Sequence, residues 1–100
     1  PPPAPLAGRD AVRSGGRVIA LTPRESAVYR LLYEAGGAAV SREEIHRRVW
    51  GGEGDPSVVN VYIHYLRRKL SDGARQPIRH VRGGYALCLG THAPPDEAGE

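Results

Sequence analysis

The chain carries a single cysteine, Cys88, and no methionine at all. One cysteine excludes an internal disulfide and gives no sign of an oxidising compartment. With no charged neighbour in the sequence to activate it, Cys88 reads as a small buried or edge-strand residue. The missing methionine is expected of a piece taken from a longer polypeptide. No apolar run approaches the ~20 residues that span a bilayer, and no signal peptide is visible, so no membrane partner is expected. Enzyme signatures are missing too. His46, His64, His80 and His92 fall on separate stretches, with no acid or cysteine at metal-ligand spacing. No glycine loop of the phosphate-cradling kind follows a strand, and there is no nucleophile elbow. We therefore expect no catalytic residue, no metal and no cofactor. Lysine is scarce: thirteen of the fourteen basic side chains are arginine, whose planar fork suits phosphates and base edges. An arginine excess also arises from codon usage, so alone it does not specify nucleic acid.

What is present fits one soluble-type domain with one core of moderate size, since the chain has 100 residues, 40% of them apolar and 25% charged. Pro1–Pro5 reads as a stiff linker, residues 6–90 as the domain, and residues 91–100 as a disordered acidic tail. Three of the eleven acids lie in the last five residues, so the body is more basic than the net charge of +3 suggests. Ser14-Gly15-Gly16, set between two short apolar stretches, predicts a hairpin over 11–21. Three helix starts follow. Thr22-Pro23-Arg24-Glu25 is a capping box with proline in the first helical position, and it opens a helix with Val28, Leu31, Leu32 and Ala35 inward. Ser41-Arg42-Glu43-Glu44 is a second capping box, with Ile45 and Val49 inward and Trp50 at the end before Gly51-Gly52. Ser57 is expected to cap a third helix over 57–72. Beyond Pro77, two alternating strands around Gly83-Gly84 predict a second hairpin over 78–89.

In the third helix, Val59, Ile63, Leu66 and Leu70 fall on one stripe, spaced for a core-facing seam. The opposite face holds Ser57, Val58, Val61, His64, Tyr65 and Arg68, with Asn60 and Arg67 on one flank and Lys69 on the other. A bland solvated face would carry Glu, Lys or Gln instead. Apolar groups set between arginines suit thymine methyls and phosphates, and they suit a protein partner as well. A helix of about fifteen residues is roughly 22 Å long, enough to cross a major groove about 12 Å wide. Arg67-Arg68-Lys69 reads as a helix end favoured by the dipole, but Arg79, His80 and Arg82 form a second basic group in the last hairpin. An arginine beside a glycine-tight tip is a natural probe of a narrow minor groove.

The order of these motifs resembles the DNA-binding effector domain of OmpR/PhoB-type bacterial response regulators. The residues that carry the likeness are 21–25, 40–45, 49–51, the run 58–70, and 78–85, together covering roughly Leu6 to Leu89. The resemblance implies an α+β fold, a winged helix-turn-helix with an N-terminal antiparallel sheet, a three-helix core and a C-terminal hairpin wing. It implies sequence-specific binding of double-stranded DNA in the bacterial cytoplasm, within a two-component phosphorelay. A receiver domain elsewhere in the polypeptide would control it, and head-to-tail pairs would sit on direct repeats. By the same likeness, base contacts fall to Ser57, Val58, Asn60, Val61 and Tyr65, to which we add His64 from the outward face. Phosphate contacts fall to Trp50, Tyr62, Arg67 and Arg68, with Lys69 beside them. Arg82 would enter the minor groove, with His80 next to it.

Four departures from the family pattern stand out. The wing tip Arg82-Gly83-Gly84-Tyr85 is one residue shorter than the usual Arg-Gly-x-Gly-Tyr. The loop 51–56, which in the family can touch RNA polymerase, is short and glycine-rich. Ser26 replaces a usual core phenylalanine, so the first helix must pack differently, with Tyr29 as a candidate. Tyr65 stands where many relatives have a polar or charged base-reader. The rival reading is a winged helix used for protein contact alone.

Overall fold

The computed structural model describes residues 2–71 and 76–89. Strands β1 (Ala4–Pro5), β2 (Ala11–Ser14) and β3 (Arg17–Ala20) form an antiparallel sheet in the order β1-β2-β3. Ser14 pairs with Arg17 across the Gly15-Gly16 turn, so the first hairpin forms where its glycines predict it. Leu21 has left the ladder, although its N–H still reaches the Asp10 carbonyl at 2.9 Å.

The expected linker is partly strand. Ala4 and Pro5 pair with Arg13 and Val12, and Pro3 is buried, its carbonyl accepting a 2.6 Å hydrogen bond from the Tyr29 hydroxyl. Proline lacks a ladder donor, so this stretch can serve only as an edge strand, and β1 is an edge strand. The tail 91–100 lies outside the described residues.

Helix α1 (Pro23–Glu34) starts on the full capping box, Thr22 Oγ1 accepting from the Glu25 N–H and Glu25 Oε1 from the Thr22 N–H. Val28, Tyr29 and Leu32 are fully buried, whereas Leu31 is half-buried at the edge of the core. Tyr29 thus supplies the aromatic volume of this helix. Ser26, where relatives carry phenylalanine, is buried and polar. Its Oγ accepts from Arg30 Nε at 3.3 Å, and Arg30 Nη2 donates to the carbonyls of Leu6 and Arg9, both at 2.7 Å. A polar strut from α1 to the β1–β2 connection stands in for the missing ring.

Helix α2 (Arg42–Trp50) is capped by Ser41, whose hydroxyl accepts from the Glu44 N–H at 3.0 Å. The reciprocal half of the predicted box is missing, because the Glu44 carboxylate bonds Arg47 and Arg48 instead. Gly51 closes the helix in the left-handed conformation at φ 68°, which glycine adopts without steric cost.

Helix α3 (Val58–Leu70) corrects the sequence reading at both ends. Ser57 is already helical in its backbone and makes no side-chain cap. Asp55 does that work, its Oδ1 accepting from the Ser57 N–H at 2.9 Å in an Asx turn. The chain then enters the helix through i→i+3 bonds from Val58, Val59 and Asn60 to the carbonyls of Asp55, Pro56 and Ser57. The helix ends at Leu70, not near residue 72. Ser71 is extended, with its N–H and hydroxyl both directed at the Arg67 carbonyl. Asp72 and Gly73 lie outside the described residues.

The wing is β4 (Ile78–Val81) and β5 (Gly84–Leu87), joined by the two-residue turn Arg82-Gly83. It stops two residues short of Leu89, although the Cys88 N–H still meets the Pro77 carbonyl at 2.8 Å. Tyr85 forms a two-bond bridge to Val40, at 2.8 and 3.0 Å, so the segment before α2 acts as a third strand of the wing. That bridge needs glycine at 84. A Cβ there would sit 2.1 Å from the Val40 carbonyl oxygen. One core joins all these layers, with Val12, Leu21, Val28, Tyr29, Leu32, Ile45, Ile78 and Leu87 packed around the α3 seam of Val59, Ile63, Leu66 and Leu70.

Candidate nucleic-acid interface

The seam decides which side of α3 faces outward. Val59, Ile63, Leu66 and Leu70 are all buried to 3% exposure or less, each such apolar side chain stabilising the fold by roughly 1.5–3 kcal/mol. Their burial leaves Ser57, Asn60, Val61, His64, Tyr65, Arg68 and Lys69 on the exposed side. Val61 is 44% exposed and Tyr65 43%, an apolar and an aromatic group held out in water. Val58, expected to point outward with them, is half-buried and packs against the core. The i→i+3 entry turns it back toward the domain.

An unbroken row of rings supports this face. Trp50 meets Tyr62 edge-on at 5.2 Å between centroids, and Tyr62 meets Tyr65 edge-on at 5.5 Å. His46 stacks on the other side of Trp50 at 6.1 Å, and its Nε2 is hydrogen-bonded to the Glu53 carbonyl at 2.9 Å. The ring of Tyr65 is therefore backed by packed neighbours, and the loop 51–56 is tied to α2 through His46.

The wing docks along one flank of α3. The Tyr85 hydroxyl donates to Asn60 Oδ1 at 2.8 Å, and Asn60 itself is exposed. Arg67 Nε donates to the Ile78 carbonyl at 3.2 Å, and its guanidinium carbon lies 5.9 Å from the Tyr85 ring centroid. Arg67 is thus first a brace between helix and wing, with its terminal nitrogens left over for other acceptors. His80 lies against Tyr85, ring centroids 5.1 Å apart. Arg82 is exposed at the turn, followed by Gly83 at φ 92°, the sign that glycine at the third position of a type II turn requires. Gly83 is close to Ala39, so the short tip leans on the α1–α2 connection.

Lys69 departs most from its expected role. Its ammonium meets Glu25 Oε1 at 2.7 Å, and that carboxylate is only 3% exposed. A buried carboxylate needs its cation. Lys69 therefore ties the end of α3 to the start of α1. Arg68, by contrast, is exposed and forms no ion pair among the described residues. Two acids near the interface are held ionised. The hydrogen bond from Arg47 above all, with a lesser one from Arg48 and against opposing desolvation, keeps the Glu44 carboxyl below its ordinary value. The Ser57 backbone N–H does the same for Asp55.

Sequence reasoning missed three contributors: Asp55, the Glu25–Lys69 pair, and Arg24, whose guanidinium lies 5.1 Å from the Trp50 ring centroid. The Asp-Pro-Ser run ahead of α3 carried a signal for the first, since Asp two residues before a helix commonly forms an Asx turn. The other two join separate helices and leave no mark in local spacing.

The sequence pattern of the family described as "Transcriptional regulatory protein, C terminal" matches residues 16–87. The response regulator protein PmrA of Pseudomonas aeruginosa is 40% identical over 79 residues, which make up 76% of this chain and 34% of PmrA. The solved DNA-binding domain of CpxR from E. coli is similar at a TM-score of 0.68 and 32% identity, covering 80% of this chain and 83% of that one. The Klebsiella pneumoniae RstA DNA-binding domain, solved in complex with RstA box, gives 0.67 at 26% identity over 78% of this chain and 82% of its own. The chain spans about a third of the length of the curated relatives it matches. The family is one of transcription regulators, not enzymes. An N-terminal sheet, three capped helices and a wing, matched from the first hairpin turn to the last residue of β5, mark this chain as a member of the OmpR/PhoB-type family of response-regulator C-terminal domains.

Proposed function

We propose that the chain binds double-stranded DNA sequence-specifically, with α3 in the major groove and the wing at the minor groove, as the effector part of a two-component response regulator. The observation that carries this reading is the exposed face of α3. Val61 and Tyr65 stand out of the core beside the exposed Arg68 on a helix whose opposite side is sealed. A helix of 13 residues is about 20 Å long, and its side chains can reach several consecutive base edges. Asn60, Val61, His64 and Tyr65 read bases, with Ser57 at the entry and Val58 at the margin. Arg67, Arg68, Tyr62 and the Trp50 indole N–H hold phosphates. Arg82, with His80 behind it, enters the minor groove, where narrow A·T-rich stretches concentrate negative potential. The RstA domain solved with RstA box supports this use of the fold. Among the described residues no helix is long and apolar enough to cross a membrane, and the proposed place of action is the bacterial cytoplasm.

The finer partners belong to the same proposal. Two copies bind head-to-tail on direct repeats, a receiver domain in the same polypeptide supplies the phosphorylation signal, and the loop 51–56 is the face offered to RNA polymerase. In vitro selection of bound duplexes tests the reading. It should return one consensus with a repeat spacing. Contact with four to six phosphates gives an affinity that falls roughly 10²- to 10³-fold between 50 and 200 mM salt. Binding that ignores salt, or no enrichment from a random pool, would replace this reading with the protein-only one.

A further inference from the structure

We propose that Arg24, at the start of α1, is a phosphate-binding residue. Held over the ring of Trp50, it forms with the Trp50 indole N–H a two-donor clamp on one backbone phosphate of the duplex. The inference rests on the DNA-binding reading of α3 and adds to it a residue from a helix outside the helix-turn-helix pair.

Arg24 is the second residue of α1. A cation there opposes the positive end of the helix dipole, where Asp or Glu would be favoured. Sequence choices that work against local stability are the ones expected at functional positions. Nor does an internal acid explain its presence. Arg42 pairs with Glu43, Arg47 and Arg48 with Glu44, and Lys69 with Glu25, while Arg30 is consumed by Ser26 and two carbonyls. Arg24 is exposed and, among the described residues, takes part in no ion pair or hydrogen bond. Its partner is the Trp50 ring, 5.1 Å from the guanidinium carbon to the centroid. A cation held on a ring face keeps its in-plane N–H donors free, unlike one held by a carboxylate.

The same holds for Trp50. Its indole N–H meets no acceptor among the described residues. No buried side-chain nitrogen or oxygen among the described residues lacks a partner, so this half-buried N–H opens to solvent. Indole is a donor only, and the non-bridging oxygens of a phosphodiester are acceptors only. The position is right as well. Glu25, the next residue, is bonded to Lys69 of α3, and Trp50 touches Tyr62, which touches Tyr65. Arg24 therefore stands at the end of the ring row that leads to the exposed tyrosine, on the flank of α3 opposite the wing.

The test measures affinity of the 100-residue chain for an arbitrary-sequence duplex across a salt series, for wild type, R24Q, R24K, W50F and R24Q/W50F. Losing one phosphate contact lowers the magnitude of the log–log salt slope by about 0.9, so the R24Q defect should shrink roughly threefold between 50 and 200 mM salt. R24K, which keeps the charge, should keep the slope. The losses in R24Q and W50F should combine to less than their product, since both donors serve one phosphate. A wild-type slope in R24Q overturns the proposal, and fully independent losses overturn the shared phosphate. If the wild-type chain binds no duplex at low salt, the α3 reading itself is wrong and the clamp falls with it. If the wild type binds with steep salt dependence and R24Q matches it, only the clamp fails.

Discussion

The Tyr29 hydroxyl donates to the Pro3 carbonyl across 26 positions of sequence, in a site buried enough to push the phenol well above its ordinary pKa. Replacing Tyr29 with phenylalanine keeps the ring and strands that carbonyl. We expect a loss of about 1 kcal/mol, seen as a lower denaturant midpoint with an unchanged slope. Gly84 is a sharper case. Alanine there would drive its Cβ into the Val40 carbonyl, so Gly84→Ala should cost more than about 1 kcal/mol and blunt DNA affinity. Gly83→Ala meets only Ala39 at 3.8 Å and should suffer from its backbone angle alone. Comparing the two melting temperatures checks the difference; equal losses would show that the bridge to Val40 contributes nothing. Tyr65→Ala removes an exposed ring that packs edge-on against Tyr62, so it should cost about 1 kcal/mol of stability and change the selected consensus. An unchanged consensus would remove Tyr65 from the reading face.

At the scale of elements, helix starts were the most legible part of the sequence. Thr22, Ser41 and the glycines at 51 and 52 act through neighbours three to six residues away, and such local chemistry survives folding. Ser57 does sit at the cap position of α3, but the capping side chain was misread, because Asp55 reaches the Ser57 N–H from two positions back and makes the bond expected of Ser57. Asp55→Ala should therefore lower the melting temperature and Ser57→Ala should not. The Ser57 N–H holds the Asp55 carboxyl below its ordinary value. Its contribution is thus present above the unfolded-state pKa and lost as the pH falls through the lower folded one. The wild-type advantage over Asp55→Ala should vanish in that acid window, which melting curves taken down a pH series will show. Strand β1 was not legible at all. Four prolines in five residues read as linker, and only pairing with β2 and the bond from Tyr29, far along the chain, make them an edge. The ion pair of Lys69 was not legible for a similar reason: its partner Glu25 lies 44 residues away, beyond any helix wheel.

At the scale of the molecule, the legible and illegible parts divide by what each depends on. The α3 seam fixed the exposed face from spacing alone, and Tyr65 and Arg68 lie where the wheel put them. The bonds between elements (Asn60 to Tyr85, Arg67 to Ile78, Arg24 to Trp50) appear only once three dimensions bring the partners together. These bonds make stability and binding separable in some variants and not in others. Arg68→Ala should reduce the salt slope by about 0.9 with little change in melting temperature. Arg67→Ala should lose both, since it also braces the wing. A melting temperature for Arg67→Ala equal to wild type would show the brace to be idle.

The bridge between Tyr85 and Val40 has a consequence for the operator. Because the hairpin tip is clasped to the backbone just ahead of α2, it cannot swing independently of the helices, and the domain behaves as a caliper with a fixed gape. Bases read by the helix and bases sensed by Arg82 should then keep one constant offset in every bound site. Inserting a single base pair between them should be tolerated poorly, since the protein has no joint at which to open.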